Sequence, residues 1–155
     1  MRALALFLAS LCLAFCADMQ NLTRLAADGK GMVLIFESKD CGYCEILKND
    51  FEKDERLLNL VGDFNIYRID INEDKSYIFA NDKRAKSTKE LKYYLYVNSA
   101  PCVMIFDKDY NKIFAFQGYA DPQQMSVFMK FAKGLNEGKY KASQWQKFLS
   151  ENGVM

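Results

Sequence analysis

The stretch Met32-Val33-Leu34-Ile35-Phe36-Glu37, followed by Ser38-Lys39-Asp40 and then Cys41-Gly42-Tyr43-Cys44, decides how this chain folds. The unbroken apolar run reads as a buried strand, and Ile46, Leu47 and Phe51 then open a helical spacing. Two thiols therefore sit where a buried strand becomes a helix. Free backbone N–H groups and the positive end of the dipole at a helix N-terminus favour an anion, and a thiolate is the nucleophile of thiol–disulfide exchange. Cys41 is accordingly the expected attacking sulfur. Cys44, one turn on, is placed to resolve a mixed disulfide formed at Cys41.

The same CxxC spacing also serves zinc sites and static disulfides. A closed zinc site wants four thiolate or imidazole ligands, whereas this chain has no histidine and only Cys12, Cys16, Cys41, Cys44 and Cys102. The lack of histidine also excludes a Cys–His nucleophile and any imidazole proton shuttle. Redox use of Cys41 and Cys44 is the leading reading, with a static disulfide or metal binding as rivals. No cofactor and no bound metal are expected.

Residues 1–16 read as a signal peptide: Arg2, an apolar run from Ala3 to Phe15 broken only by Ser10, and polar Asp18, Gln20 and Asn21 directly after. The run is shorter than the roughly 20 residues a transmembrane helix needs. Cleavage after Cys16 sets Ala14 and Cys16 at the two small-residue positions and makes Ala17 the first mature residue. Leu13-Ala14-Phe15-Cys16 also looks partly like a lipoprotein box, so a lipid anchor at Cys16 is the lesser alternative to a free periplasmic or secreted protein. In such a compartment disulfides persist, and Cys102 is left as an odd thiol. The formal net charge of +1 and the interspersed charges argue against nucleic acid or an anionic membrane as partner. Residues 17–155, without repeat or linker, suit a single domain.

Along the chain, Leu22, Leu25 and Ala26 suggest a short helix within Ala17 to Asp28, ending at Gly29. The helix after the cysteines should bury Ile46, Leu47, Phe51, Leu57, Leu58 and Val61, breaking near Asp54. Phe64 to Ile71 reads as a second strand, parallel to the first by a right-handed crossover. Asn72 to Lys86 gives little signal and reads as an insertion near the active face. Ser87-Thr88-Lys89-Glu90 is a capping box for a helix ending near Tyr96, on which Tyr93, Tyr94 and Tyr96 read as core and rim. Cys102 to Phe106 and Lys112 to Gln117 form a hairpin. Asp121-Pro122-Gln123-Gln124 starts a helix that turns Met125, Phe128, Met129 and Ala132 inward. A last amphipathic segment, Ser143 to Leu149, carries Trp145, Phe148 and Leu149 as an appended helix over the core.

Strand, CxxC, helix, strand, helix, proline, hairpin and helix is the order of the thioredoxin fold, which the chain resembles from about Gly31 to Ala132. The resemblance is greatest to periplasmic thioredoxin-like proteins of the SoxW kind. It rests on Phe36-Glu37, Cys41-Gly42-Tyr43-Cys44, the segment from Glu90-Leu91 to Val97, Ala100-Pro101, Phe106-Asp107-Lys108-Asp109 and Gly118-Tyr119. It implies an α/β fold with a central mixed four-stranded sheet flanked by helices. It also implies a cis Pro101 facing the cysteines, and a substrate groove that includes Gly42, Tyr43, Ala100 and Pro101. The Gly-Tyr dipeptide is similar to that of bacterial disulfide isomerases, whose separate dimerisation domain is not expected here; a monomer is.

Two departures stand out. Thioredoxins carry a buried aspartate six residues before the first cysteine, where this chain has Ile35. Glu37 is a candidate substitute acting through water, against the plainer reading of an ion-paired or solvated strand-end residue. Asp40 is a candidate helix cap whose charge would disfavour a thiolate at Cys41. Cys102 stands where thioredoxins commonly have threonine. Strand alternation puts Cys102, Met104 and Phe106 on one face and Val103 and Ile105 on the other, so Cys102 is either a small buried hydrophobe or a third redox or soft-metal ligand beside Cys41 and Cys44, which with Met104 would suit Cu(I).

The expected activity is reduction of disulfide-bearing protein substrates, with electrons from a membrane thiol donor implied by the resemblance. Isomerase or oxidase activity is the alternative within the same chemistry. A non-catalytic metal or peptide-binding module is the alternative outside it, and a stable three-thiol metal complex would mark that module.

Overall fold

The computed structural model describes residues 22–154; the expected leader at 1–16, with Cys12 and Cys16, lies outside them. The chain folds around strand β2, Gly31–Glu37. This strand lies in a four-stranded sheet between β3 (Phe64–Asp70), to which it is parallel, and β6 (Cys102–Phe106), to which it is antiparallel; β7 (Lys112–Gln117) closes the order β3-β2-β6-β7. A strand paired on both edges and covered on both faces has no polar side, which is why its sequence is a continuous apolar run rather than an alternating one.

Alternation divides that run between two cores. Val33 and Ile35, with Val103 and Ile105 of β6, face helices α1 (Gly42–Lys53), α2 (Glu55–Val61) and α4 (Pro122–Asn136). Met32, Leu34 and Phe36, with Cys102, Met104 and Phe106, face α3 (Thr88–Leu95) and a smaller three-stranded sheet. That second sheet, β1 (Leu22–Leu25), β4 (Ser76–Phe79) and β5 (Lys86–Ser87) in the order β1-β4-β5, was not expected.

The helix expected across Ala17 to Asp28 is replaced, in its described part, by β1. Leu22 to Leu25 pair in parallel with Ser76 to Phe79, a partner far away in sequence. The backbone that follows is held by side chains: Asn65 Nδ2 donates to the carbonyls of Ala26 and Ala27 at 3.1 and 3.0 Å, and the Tyr67 and Tyr110 hydroxyls accept from the N–H groups of Ala26 and Ala27. Tertiary partners thus satisfy the groups a helix would have paired internally. Asn72 to Lys86, read as an insertion, supplies β4, with Tyr77 and Phe79 buried by period-two alternation.

The helix after the cysteines breaks at Asp54 as expected. Asp54 ends α1 in an extended conformation and caps α2, its carboxylate accepting from the Arg56 N–H at 3.0 Å. Leu47, Phe51 and Leu57 are buried as expected, but Ile46 is 45% exposed because it lies off the face that Cys44, Leu47 and Phe51 share, and Leu58 is 45% exposed with Leu60 buried instead because the break at Asp54 resets the phase of the apolar face. Both capping boxes form, Ser87 with Glu90 at α3 and Asp121 with Gln124 at α4.

The C-terminal extension is a single turn at Ala142–Gln144 followed by α5, Trp145–Glu151, the last of five α-helices among the described residues. It docks through aromatic rings: Phe131 of α4 meets Trp145 at 4.8 Å, Phe148 at 5.2 Å and Tyr140 at 5.7 Å between centroids. Gly134 makes room for this, since any Cβ there would collide with the Tyr140 ring. No helix among the described residues is long and apolar enough to cross a membrane.

Candidate active site

Where β2 ends, the chain turns through Ser38 to Asp40 and enters α1 at the cysteine pair. Asp40 does not cap the helix. It takes a left-handed conformation (φ 56°), and Cys41 occupies the cap position itself, its Sγ accepting from the Cys44 backbone N–H at 3.2 Å. The sulfur thus holds the place of an N-cap oxygen, a position that favours its anion. Cys41 and Cys44 are joined as a disulfide with an Sγ–Sγ distance of 2.11 Å. The two sulfurs differ in access: Cys41 is partly exposed, whereas Cys44 is 3% exposed. Incoming disulfides can therefore reach the first and not the second.

The register of β2 against β6 pairs Phe36 with Cys102, so Ala100 and Pro101 lie at the end of β2 from which the cysteine loop departs. The Ala100–Pro101 bond is cis, with Pro101 buried and Ala100 half-buried. Gln117 holds this corner, a part the sequence reading did not give it. Its Oε1 accepts from the N–H groups of Asn98 and Ser99 at 3.2 and 3.3 Å and from the Ser99 hydroxyl at 3.3 Å, and its Nε2 donates to the Tyr96 carbonyl at 2.9 Å. One side chain at the end of β7 thereby fixes the loop from α3 to the proline. The Gly118 N–H adds a bond to the Pro101 carbonyl at 2.8 Å.

Two further residues converge on the helix. The Tyr119 hydroxyl donates to Asp50 Oδ2 at 2.8 Å, and its ring stacks on Tyr43 at 5.7 Å between centroids. Burial and the adjacent Asp50 carboxylate push the Tyr119 hydroxyl up to about 12, so it stays protonated and remains a donor. In the sequence Tyr119 stands out only as part of the Gly118-Tyr119 pair, and Asp50 carries no distinguishing signal.

Glu37 is ion-paired with Arg68 of the neighbouring strand β3, which corresponds to the plainer of its two readings. Cys102 is fully buried in the core on the α3 side of the sheet, whereas Leu47 and Phe51 of α1 pack on the other side. A ligand set of Cys41, Cys44 and Cys102 is therefore not assembled, and no cluster of three metal-binding side chains occurs among the described residues. Burial pushes the Cys102 thiol up to about 11. Tyr93 and Tyr96, expected as core and rim, are 85% and 75% exposed. With Phe79, Tyr94 and Phe106 they line a cleft of about 920 Å³, whose wall includes none of Cys41, Cys44, Ala100 and Pro101.

A family model described as a thioredoxin-like domain matches residues 19–133, and the chain belongs to this family. Among solved structures, a thioredoxin-fold protein from Helicobacter pylori is 26% identical and superposes with a TM-score of 0.73, covering 83% of this chain and 85% of its own. The thioredoxin of Malassezia sympodialis is 17% identical at a TM-score of 0.50, covering 72% of this chain and 90% of its own. That of Fasciola hepatica is likewise 17% identical at 0.50, covering 68% and 84%. The last two share the fold alone. No curated protein matches the chain.

Proposed function

We propose that this protein is an exported, periplasmic thiol–disulfide oxidoreductase of the SoxW kind that reduces disulfides in protein substrates through Cys41 and Cys44. The observation that carries this reading is the asymmetry of the pair: a partly exposed sulfur at the helix N-terminus and a buried partner one turn on. In the reduced protein, the Cys41 thiolate attacks one sulfur of a substrate disulfide, the substrate S–S bond breaks, and its other sulfur leaves as a thiolate that takes up a proton. Cys44, once deprotonated, attacks the Cys41 sulfur, expelling the second substrate thiolate and forming the Cys41–Cys44 disulfide. Two electrons from a dithiol donor at the membrane restore the reduced form. Gly42, Tyr43, Ala100 and Pro101 contribute the surface on which the substrate backbone lies.

The buried aspartate of thioredoxins is absent, and Glu37 is engaged by Arg68. With neither group free to take it, the proton leaving Cys44 passes to water. The test is turnover of a protein disulfide by the mature chain with a dithiol reductant. Cys41→Ser reduces turnover to background, while Cys44→Ser accumulates a mixed disulfide through Cys41 that is visible by mass. Turnover that survives Cys41→Ser would reject the assigned nucleophile.

A further inference from the structure

The ring of Tyr43, two residues from Cys41, is 62% exposed, yet one of its faces is covered. One face lies on Tyr119 at 5.7 Å with an interplanar angle of 25°, and Tyr119 is itself tied to Asp50 of α1 by its hydroxyl at 2.8 Å. Gly118, at φ 124°, turns the chain out of β7 so that Tyr119 can reach across to α1 while the Gly118 N–H stays on the Pro101 carbonyl. The outer face of Tyr43 is thus presented to solvent two residues along the chain from Cys41, with Tyr119 behind it. An unrestrained surface tyrosine would lose rotamer freedom on binding, whereas the stack on Tyr119 already restricts this one.

We propose that Tyr43, backed by Tyr119 and Asp50, is a specificity shelf that selects disulfide-bonded polypeptides carrying an aromatic side chain next to the reacting cysteine. The inference rests on the thiol–disulfide reading of Cys41 and Cys44 and deepens it. A planar neighbour of the substrate cysteine continues the stack that Tyr119 and Tyr43 begin, with negative ring faces offset against positive edges. Aliphatic side chains of similar bulk gain only area. Tyr43 touches substrate in this account, and Tyr119 and Asp50 act as positioning residues through it.

The experiment compares two disulfide-linked peptides, identical except for Phe or Leu beside the cysteine, as substrates of the mature protein under a dithiol reductant. The wild-type protein is expected to favour the Phe peptide in kcat/KM by about threefold to tenfold, the range an added aromatic contact supports. Tyr43→Leu, a change at an exposed position, should bring that ratio close to one. Tyr119→Leu should lower it by freeing Tyr43, whereas Tyr119→Phe, which keeps the ring and loses the Asp50 bond, should fall between. Equal use of the two peptides by the wild type, or a ratio unchanged in Tyr43→Leu, would overturn the shelf while leaving the oxidoreductase intact. No reduction of either peptide, nor of hydroxyethyl disulfide, would reject the underlying oxidoreductase reading and the shelf with it.

Discussion

Phe36 and Cys102 sit opposite each other on β2 and β6 and point into the same core, the one covered by α3. That pairing puts Cys102, the free thiol among the described residues, next to the active corner in sequence but behind the sheet in space. Cys102 follows Pro101 directly, yet it shares a core with Leu34 and Met104 rather than with Leu47 and Phe51 of the cysteine helix.

The consequence for Cys102 is chemical silence in the folded protein. It is fully buried, and burial pushes the thiol up to about 11, so almost no thiolate exists near neutrality. Iodoacetamide at pH 8 should leave Cys102 unmodified in the native protein and modify it in urea, as read by mass. Rapid native alkylation would contradict its place in the core.

Gln117 bonds to three residues of the loop before Pro101. Gln117→Ala should cost only about 1 kcal/mol of stability, because these bonds lie in partly solvated surroundings. The same change should lower kcat/KM for a protein disulfide more than for hydroxyethyl disulfide, because the loop it frees borders the peptide and not the sulfur chemistry. Urea unfolding and paired kinetics check both halves; equal losses on the two substrates would contradict this positioning part.

Glu90 is held down at about 2, first by the Ser87 N–H at 2.8 Å and then by Arg84 at 2.9 Å. Its ordinary value is 4.5, so the folded state favours the carboxylate. The stabilisation is complete above pH 4.5 and is lost as pH falls through about 2. Urea curves of the wild type and Glu90→Gln should differ at pH 6 and converge near pH 2, with a smaller difference at high salt because the group faces solvent. A difference that persists at pH 2 would assign the effect to something other than the charge.

Phe131 joins the appended helix to the rest of the chain. It is 1% exposed and contacts Tyr140, Trp145 and Phe148. Phe131→Ala should cost about 3–5 kcal/mol in urea unfolding, as large aromatic deletions in cores do. A cost below about 1 kcal/mol would mean that α5 contributes little to the fold.

The legible parts of the sequence were those with local signals. The apolar run at Val33 to Phe36, the cysteines at a helix start, and the boxes at Ser87 and Asp121 each state their structure within a few residues. The illegible parts depended on distant partners. Leu22, Leu25 and Ala26 have helical spacing, but β4 and the side chains of Asn65, Tyr67 and Tyr110 claim that backbone. Tyr77 and Phe79 are too short an alternation to stand out in a polar segment. At the site, Cys41 and Cys44 were evident from spacing and Pro101 from the resemblance. Gln117 and Asp50 were not, since an amide at a strand end and an acid on a helix look like ordinary surface residues until the fold brings Ser99 and Tyr119 to them.

The central claim, that Cys41 and Cys44 form a working redox pair, is tested most directly by equilibrating the mature protein in redox buffers and counting alkylated cysteines by mass at each potential. A reversible two-electron transition confined to Cys41 and Cys44 is expected, near the thioredoxin value of about −270 mV. A reversible transition at about −120 to −180 mV would reverse the proposed direction toward oxidation or isomerisation. A pair that never titrates would contradict the account and leave Cys41–Cys44 as a static link.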